Sequence, residues 1–237
     1  MVAGFAAERP PSLLGITIRR SIVVGRLYLI IGIGYLLVFG IVTGVASPTA
    51  FGSLITLFLP VFAVMGAMGG LMVFTNDRLK GVFEYLIAYG VSSRRLFANV
   101  LAATLVLVSI VLGTSLTVGL GVYLARGHTI SASLAIDLAL YSIPMSYASA
   151  AFAATVGMFW TSLSSPRTGM NSPIGLMPII GIAPSLITVG CIQAAASVGV
   201  PALTVVTVAV VLVAAAVLFL LRHIGRLMPL ERLLSPT

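Results

Sequence analysis

From Ala202 to Leu221 the chain reads ALTVVTVAVVLVAAAVLFLL, twenty residues without a charge and with only Thr204 and Thr207 as polar side chains. At about 1.5 Å of rise per residue, an α-helix of that length spans roughly 30 Å, the thickness of a bilayer's hydrocarbon core. Arg222, Arg226 and Arg232 follow directly, as cations do where a helix leaves lipid for an anionic headgroup layer. This is the cleanest span in the chain.

Apolar runs recur. Leu27–Ala46, about Phe51–Phe74, Leu96–Leu124, Asp137–Trp160 and Pro173–Gln193 are each long enough for one crossing. Charged residues are 8% of the chain and hydrophobic ones 59%, whereas a soluble domain carries about 25% charged residues. Too few polar groups remain to wet a globular surface. The expected fold class is therefore an all-α polytopic membrane protein, with residues 1–237 as a single transmembrane domain. The net charge of +8 is read with membrane lipid in mind rather than nucleic acid. The single Cys191 excludes an intrachain disulfide and any multi-cysteine metal site, and reads as a packing residue.

Residues 1–11 end in Glu8-Arg9-Pro10-Pro11 and read as a cytosolic tail without the features of a secretory signal. Over 12–26, Leu13, Leu14, Ile16, Ile18, Ile22 and Val23 alternate with Arg19, Arg20 and Arg26 behind Ser12 as a cap, which predicts an interfacial helix. Ser47-Pro48-Thr49 predicts a tight outer turn, and Pro60 a kink in the second span. Asp137 is expected to open the fourth span, with Pro144 inside it and Trp160 at the level of an aromatic belt. Pro173, Pro178 and Pro184, with Gly175 and Gly181 between them, predict a fifth stretch broken or kinked near 178–184. The 190–200 connection is expected to dip into the outer leaflet. With the amino terminus inside, twelve of the thirteen Lys and Arg fall on inner segments and Arg126 alone lies outside. That alternation requires an even number of spans, six, with both termini in the cytosol.

One polar stretch interrupts this plan. Residues 75–99, TNDRLKGVFEYLIAYGVSSRRLFAN, hold Asp77, Arg78, Lys80, Glu84, Arg94 and Arg95. Leu79, Val82, Phe83, Leu86 and Ile87 recur at helical spacing, while Asp77, Arg78, Lys80, Gly81, Glu84 and Tyr85 fall on the opposite side. Asn76 or Asp77 can cap this helix and Gly90 can end it; Ser92 can cap the next. A short amphipathic helix at the membrane surface follows, anchored by Leu79, Phe83 and Leu86. By residue pattern alone, a solvated loop helix accounts for it.

The order Asp77-Arg78-Leu79-Lys80-Gly81-Val82-Phe83-Glu84-Tyr85-Leu86, then Val91-Ser92-Ser93-Arg94-Arg95-Leu96, resembles the ABC-2 type transporter permeases. That family carries E-R/K-x-x-G-x-x-E-x-L followed by P-x-S-R/S-x-x-L between spans two and three. Asp77 stands where the family has Glu, and Tyr89 or Gly90 where it often has Pro. A looser likeness is Met177-Pro178-Ile179-Ile180-Gly181-Ile182-Ala183-Pro184, matching a Pro…Gly…Pro pattern in span five. The resemblance implies an exporter subunit of a prokaryotic cell membrane that forms the substrate pathway with a second permease chain, identical or related. It implies that 75–95 is a cytosolic coupling loop whose helix docks on a separate ABC ATPase subunit through Asp77, Arg78, Lys80, Gly81, Glu84, Tyr85, Arg94 and Arg95. ATP and Mg would sit on that partner. The only lysine, Lys80, follows no glycine-rich loop, so no P-loop is present on this chain.

Spans one, two and five would border the pathway by the same resemblance, giving Thr43, Thr56, Met65, Pro178, Gly181, Pro184, Ser185 and Thr188 as candidates. Gly40-x-x-x-Gly44 and Gly66-x-x-x-Gly70 offer close-packing faces, with packing inside the chain as their ordinary use. Met65, Met68 and Met72 share a helical face that core packing also explains. Rival readings are a non-transporting assembly subunit, a secondary transporter and a membrane enzyme. A secondary transporter would bury ionisable groups at mid-membrane, and Asp137 reads instead as a span end. An enzyme finds no GxSxG or HExxH, and His128 and His223 are expected near opposite faces.

Overall fold

The computed structural model describes residues 12–26, 47–163 and 177–227, together with Ile30, Ile33, Gly34, Leu37, Val38, Ile41, Val42 and Val45. Every regular element among them is helical: α1 (Leu13–Val24), α2 (Pro48–Leu79), α3 (Val82–Ala88), α4 (Ser93–Ala125), α5 (Ala132–Ile136), α6 (Ile143–Leu163), α7 (Met177–Ala196) and α8 (Ala202–Leu227). Four are long and apolar enough to cross a membrane, over Phe58–Leu79, Ser93–Ala125, Ile179–Ala196 and Ala202–His223. These fit a multi-pass membrane protein. On α8, Val208, Val211, Leu212, Leu218 and Phe219 are exposed, an arrangement that water penalises and hydrocarbon does not.

The core lies among α2, α4 and α6, where Phe51, Leu59, Leu71, Phe74, Phe97, Leu107, Met145 and Met158 are fully buried. Helix α6 touches α2, α4, α7 and α8. Its enclosure accounts for the hydroxyl side chains it carries. Ser146, Ser149, Thr155 and Thr161 are buried against protein rather than facing lipid. Thr155 and Thr161 each donate to a carbonyl of α6 itself, and Ser146 donates to the Ser142 carbonyl just before it. The fourth stretch does not open at Asp137 but eleven residues before α6, at Ala132, behind Ser131 as N-cap. Asp137–Ser142 is a wide π-helical turn in which the Ile143 N–H reaches the Leu138 carbonyl. Pro144 follows directly, and its missing N–H removes a regular rung at that point.

Other boundaries also move. Helix α2 starts at Pro48, so the expected outer turn is its first turn, and the helix runs on through Pro60. Pro173 and Gly175 of the fifth stretch lie outside the described residues; from Met177 to Ala196 it is one α-helix without a break. Pro178 stands in the first turn, where a missing N–H has no partner to lose, and Pro184 removes a single rung. The helix passes through Gly190, and the turn comes at Gly199, φ +77°. The expected span Leu27–Ala46 lies largely outside the described residues. The positions described within it are helical, and the Val45 carbonyl accepts a 2.8 Å bond from Arg126 at the end of α4.

Glycines set the closest approach of α2 and α4. A Cβ on Gly70 would lie 1.8 Å from Thr104 Oγ1 and 2.7 Å from its Cβ, and one on Gly66 would lie 3.3 Å from Val108 Cα. The Gly66/Gly70 pair thus packs inside the chain; Gly40 and Gly44 lie outside the described residues. Gly70→Ala should destabilise the bundle by about 1–3 kcal/mol through overpacking, and Gly66→Ala by less. Thermal unfolding of the two variants in detergent checks the ranking.

Candidate functional site

Lys80 and Gly81 interrupt what would otherwise be one helix. Gly81 takes φ +68°, its N–H bonds the Arg78 carbonyl at 3.2 Å, and its own carbonyl accepts the Tyr85 N–H at 3.2 Å. One left-handed residue therefore closes α2 and opens α3, a geometry that favours glycine. This corrects the expected cap: Asn76 and Asp77 lie inside α2, and the apolar helix runs to Leu79. The other end is as expected. Gly90, φ +80°, bonds the Ile87 carbonyl at 2.8 Å, and the Val91 N–H bonds Leu86 at 3.0 Å, the paired bonds of a Schellman stop. Ser92 then caps α4 by accepting the Arg95 N–H at 3.4 Å.

Between these two glycines, α3 is fastened by its underside. Phe83 is 3% exposed, and its ring sits 5.1 Å from Phe74, which sits 5.1 Å from Phe97. Leu86, Ile87 and Val91 pack onto the same core. Leu79 does not join them and is 63% exposed, because α2 continues past the expected cap and turns it outward. The other face of α3 presents Glu84, Tyr85 and Tyr89, flanked by exposed Lys80, Arg94 and Arg95. The Tyr85 hydroxyl donates to that of Tyr89 at 3.2 Å, which holds Tyr85 above the usual tyrosine range, and the rings are 4.6 Å apart. Glu84 lies in the first turn of α3, where its charge also suits the helix dipole.

Asp77 and Arg78 do not stand on the solvent side. Asp77 is buried and its Oδ1 accepts a 2.5 Å bond from Arg20 of α1, the two side chains being 8% and 34% exposed. Arg78 donates to the Thr161 carbonyl near the end of α6. Neighbouring residues at the end of α2 therefore bind two different helices. Gly25, just past α1, lies against Gly69, where an added Cβ would be 3.2 Å from Gly69 Cα. Sequence reading missed Arg20 and Thr161. The signal for Arg20 was the scarcity of acids, five against thirteen cations. An acid at the end of a long apolar helix needs a cation, and the helix at 12–26 supplied the nearest set.

The residues expected to line a pathway divide. Thr43 lies outside the described residues, Thr56 falls on α2 and Pro178 on the first turn of α7. Met65 packs with Phe58, Phe62 and Val111. Gly181, Ser185 and Thr188 are buried on α7, and Pro184 is half-buried. A Cβ on Gly181 would be 2.6 Å from Val64 and 2.7 Å from Ala153, and Thr188 Oγ1 lies 3.9 Å from Met145 Sδ. Gly181 thus packs against α2 and α6, and Thr188 against α6. A cavity of about 300 Å³ lies at the end opposite α3, lined by Tyr123, Gly127, His128, Thr129, Ser131 and Leu134. Among the described residues no three His, Cys, Asp or Glu side chains converge as a metal site requires. Comparison with protein-family models, with curated proteins and with solved structures finds no match for this chain.

Proposed function

We propose that this chain is the membrane-spanning subunit of an ATP-driven exporter of the ABC-2 permease kind, working with a second permease chain and driven by a separate ATP-binding subunit. The observation that carries the reading is α3. A polar connection between two apolar helices is folded into its own helix, fastened by Phe83 and stopped at both ends by left-handed glycines, with Glu84, Tyr85 and Tyr89 turned outward. A connection that only joined two spans would need none of this order.

In this reading the chain crosses the membrane six times, through 27–46, α2, α4, the α5–α6 run, α7 and α8. Both termini, α1 and α3 lie on the cytosolic side, and α1 lies in the interface. The Lys and Arg distribution supports that orientation. Lys80, Glu84, Tyr85, Arg94 and Arg95 meet the ATPase. Asp77, Arg78 and Gly81 act behind them, joining the base of α3 to α1 and α6. ATP and Mg are held by the partner, and the setting is a prokaryotic cell membrane.

Co-expression with a candidate ABC ATPase subunit, sought first in the neighbouring reading frame, tests the reading. Glu84→Ala and Tyr85→Ala should leave insertion and yield unchanged while reducing ATPase co-purification at least tenfold, since polar groups desolvated at an interface are costly to leave half-paired. Full capture and coupled ATP turnover in both variants would return α3 to a solvated loop helix. Thiol labelling at Ser92, Thr168 and Ser235 should report the inside and at Ser47, His128 and Gly199 the outside. An outside signal at Ser92 sinks the proposal.

A further inference from the structure

Helices α6 and α7 are antiparallel, and two contacts fix their register. Ala153 meets Gly181, and Met145 meets Thr188. Ser149 lies one turn from each of the α6 residues in that pair, and Ser185 lies about one turn from each of the α7 residues, so the two serines fall opposite each other. Both are buried, at 0% and 6% exposure, and Thr188 is 3% exposed. Ser185 bonds the Ile182 carbonyl at 2.8 Å and Thr188 the Pro184 carbonyl at 2.7 Å. Among the described residues, Ser149 Oγ has no hydrogen-bond partner. An enclosed hydroxyl without a hydrogen bond is uncommon and calls for a reason. A packing role would be served as well by the alanine that stands one turn along, at Ala153.

The far wall of this seam is weakly held. Only 17% of α7 over Ile179–Ala196 is buried, against 72% of Phe58–Leu79 in α2. Ile179, Leu186 and Ile187 face outward, so α7 is held only by its inner side, which packs on α6, α2 and α8. Moving α7 away from α6 uncovers Ser149, Ser185 and Thr188, with no charged residue on α6 or α7. We propose that the α6–α7 seam is a hydroxyl-lined path that opens to water and takes an uncharged, hydrogen-bonding amphiphile.

This inference rests on the transport reading, but its test requires no ATPase. In a Cys191→Ser background, Ser149→Cys and Thr188→Cys are compared with Val208→Cys, an exposed position on the apolar surface of α8. The probe is N-ethylmaleimide on native membranes, because it attacks thiolate and thiolate forms where water reaches. Both seam thiols should react at least tenfold faster than Val208→Cys. Rates equal to that of Val208→Cys at both positions mean a dry seam and overturn the inference, whatever the ATPase capture experiment gives. Should Ser149→Cys fail to accumulate, the Thr188→Cys rate decides in the same way. A failed ATPase capture with fast seam labelling would remove the ABC reading and leave the wet path standing.

Discussion

Arg20→Ala should destabilise the protein more than Asp77→Ala, although the two residues share one bond. The Asp77 side chain is 8% exposed and the Arg20 side chain 34%. Removing the carboxylate leaves a guanidinium on a surface helix, free to swing toward water or headgroups. Removing the guanidinium leaves the carboxylate enclosed at the end of α2 with only the weaker attraction of Lys80, and a poorly compensated buried charge is the costly half of a broken pair. A fully buried pair loses about 3–5 kcal/mol when one partner goes and an exposed one about 0–1 kcal/mol. This pair lies between, so about 2–3 kcal/mol is expected for Arg20→Ala, a shift of roughly 4–12 °C in thermal midpoint for a chain of this size. The double variant should sit closer to wild type than Arg20→Ala alone. Detergent melts of the four proteins close the cycle. Simple additivity would mean that the contact does not hold α1 to α2.

How much of this was readable beforehand follows from the range of each interaction. The all-helical class and the apolar helices are properties of long uncharged runs, so composition and length carried them. Gly90 and Ser92 were legible because their roles are local, a left-handed stop and a cap acting within four residues. Asp77 was misplaced because helical spacing assigns a face to the element it supposes. Once α2 runs on to Leu79, the same residue faces α1, 57 positions away in the chain. Leu79 was misplaced by the same error. The fifth stretch was expected to break or kink; it does not break, because Pro178 stands where no bond is lost and the helix continues past Pro184. That Gly181, Ser185 and Thr188 share one apolar helix was legible, but which neighbour they face depends on the register with α6, and a single sequence does not contain it.

Phe83→Ala and Glu84→Ala, one residue apart, should fail in different ways. Phe83 is the one ring that α3 buries, and it reaches the bundle through Phe74 and Phe97. Truncating a buried Phe to Ala typically costs about 3–5 kcal/mol through lost transfer and the cavity left behind. A helix of seven residues is far too short to persist without its anchor. The loss should therefore appear as melting of α3 itself, read as rapid amide exchange over 82–88 and as protease cleavage near Gly81 or Gly90. The buried ends of α2 and α4 should stay protected, because Leu71, Phe97 and Leu107 are fastened independently. Phe83→Leu should restore most of the protection by refilling the space. Glu84→Ala should leave exchange over α3 nearly unchanged apart from its first turn, where the carboxylate favours the helix start. If α3 is the docking element, both variants lose ATPase capture, but only Phe83→Leu regains it together with protection, since Glu84 acts at the interface and Phe83 through the shape of the helix. Retained capture in a Phe83→Ala protein whose α3 exchanges freely would show that the folded helix is not what the partner recognises.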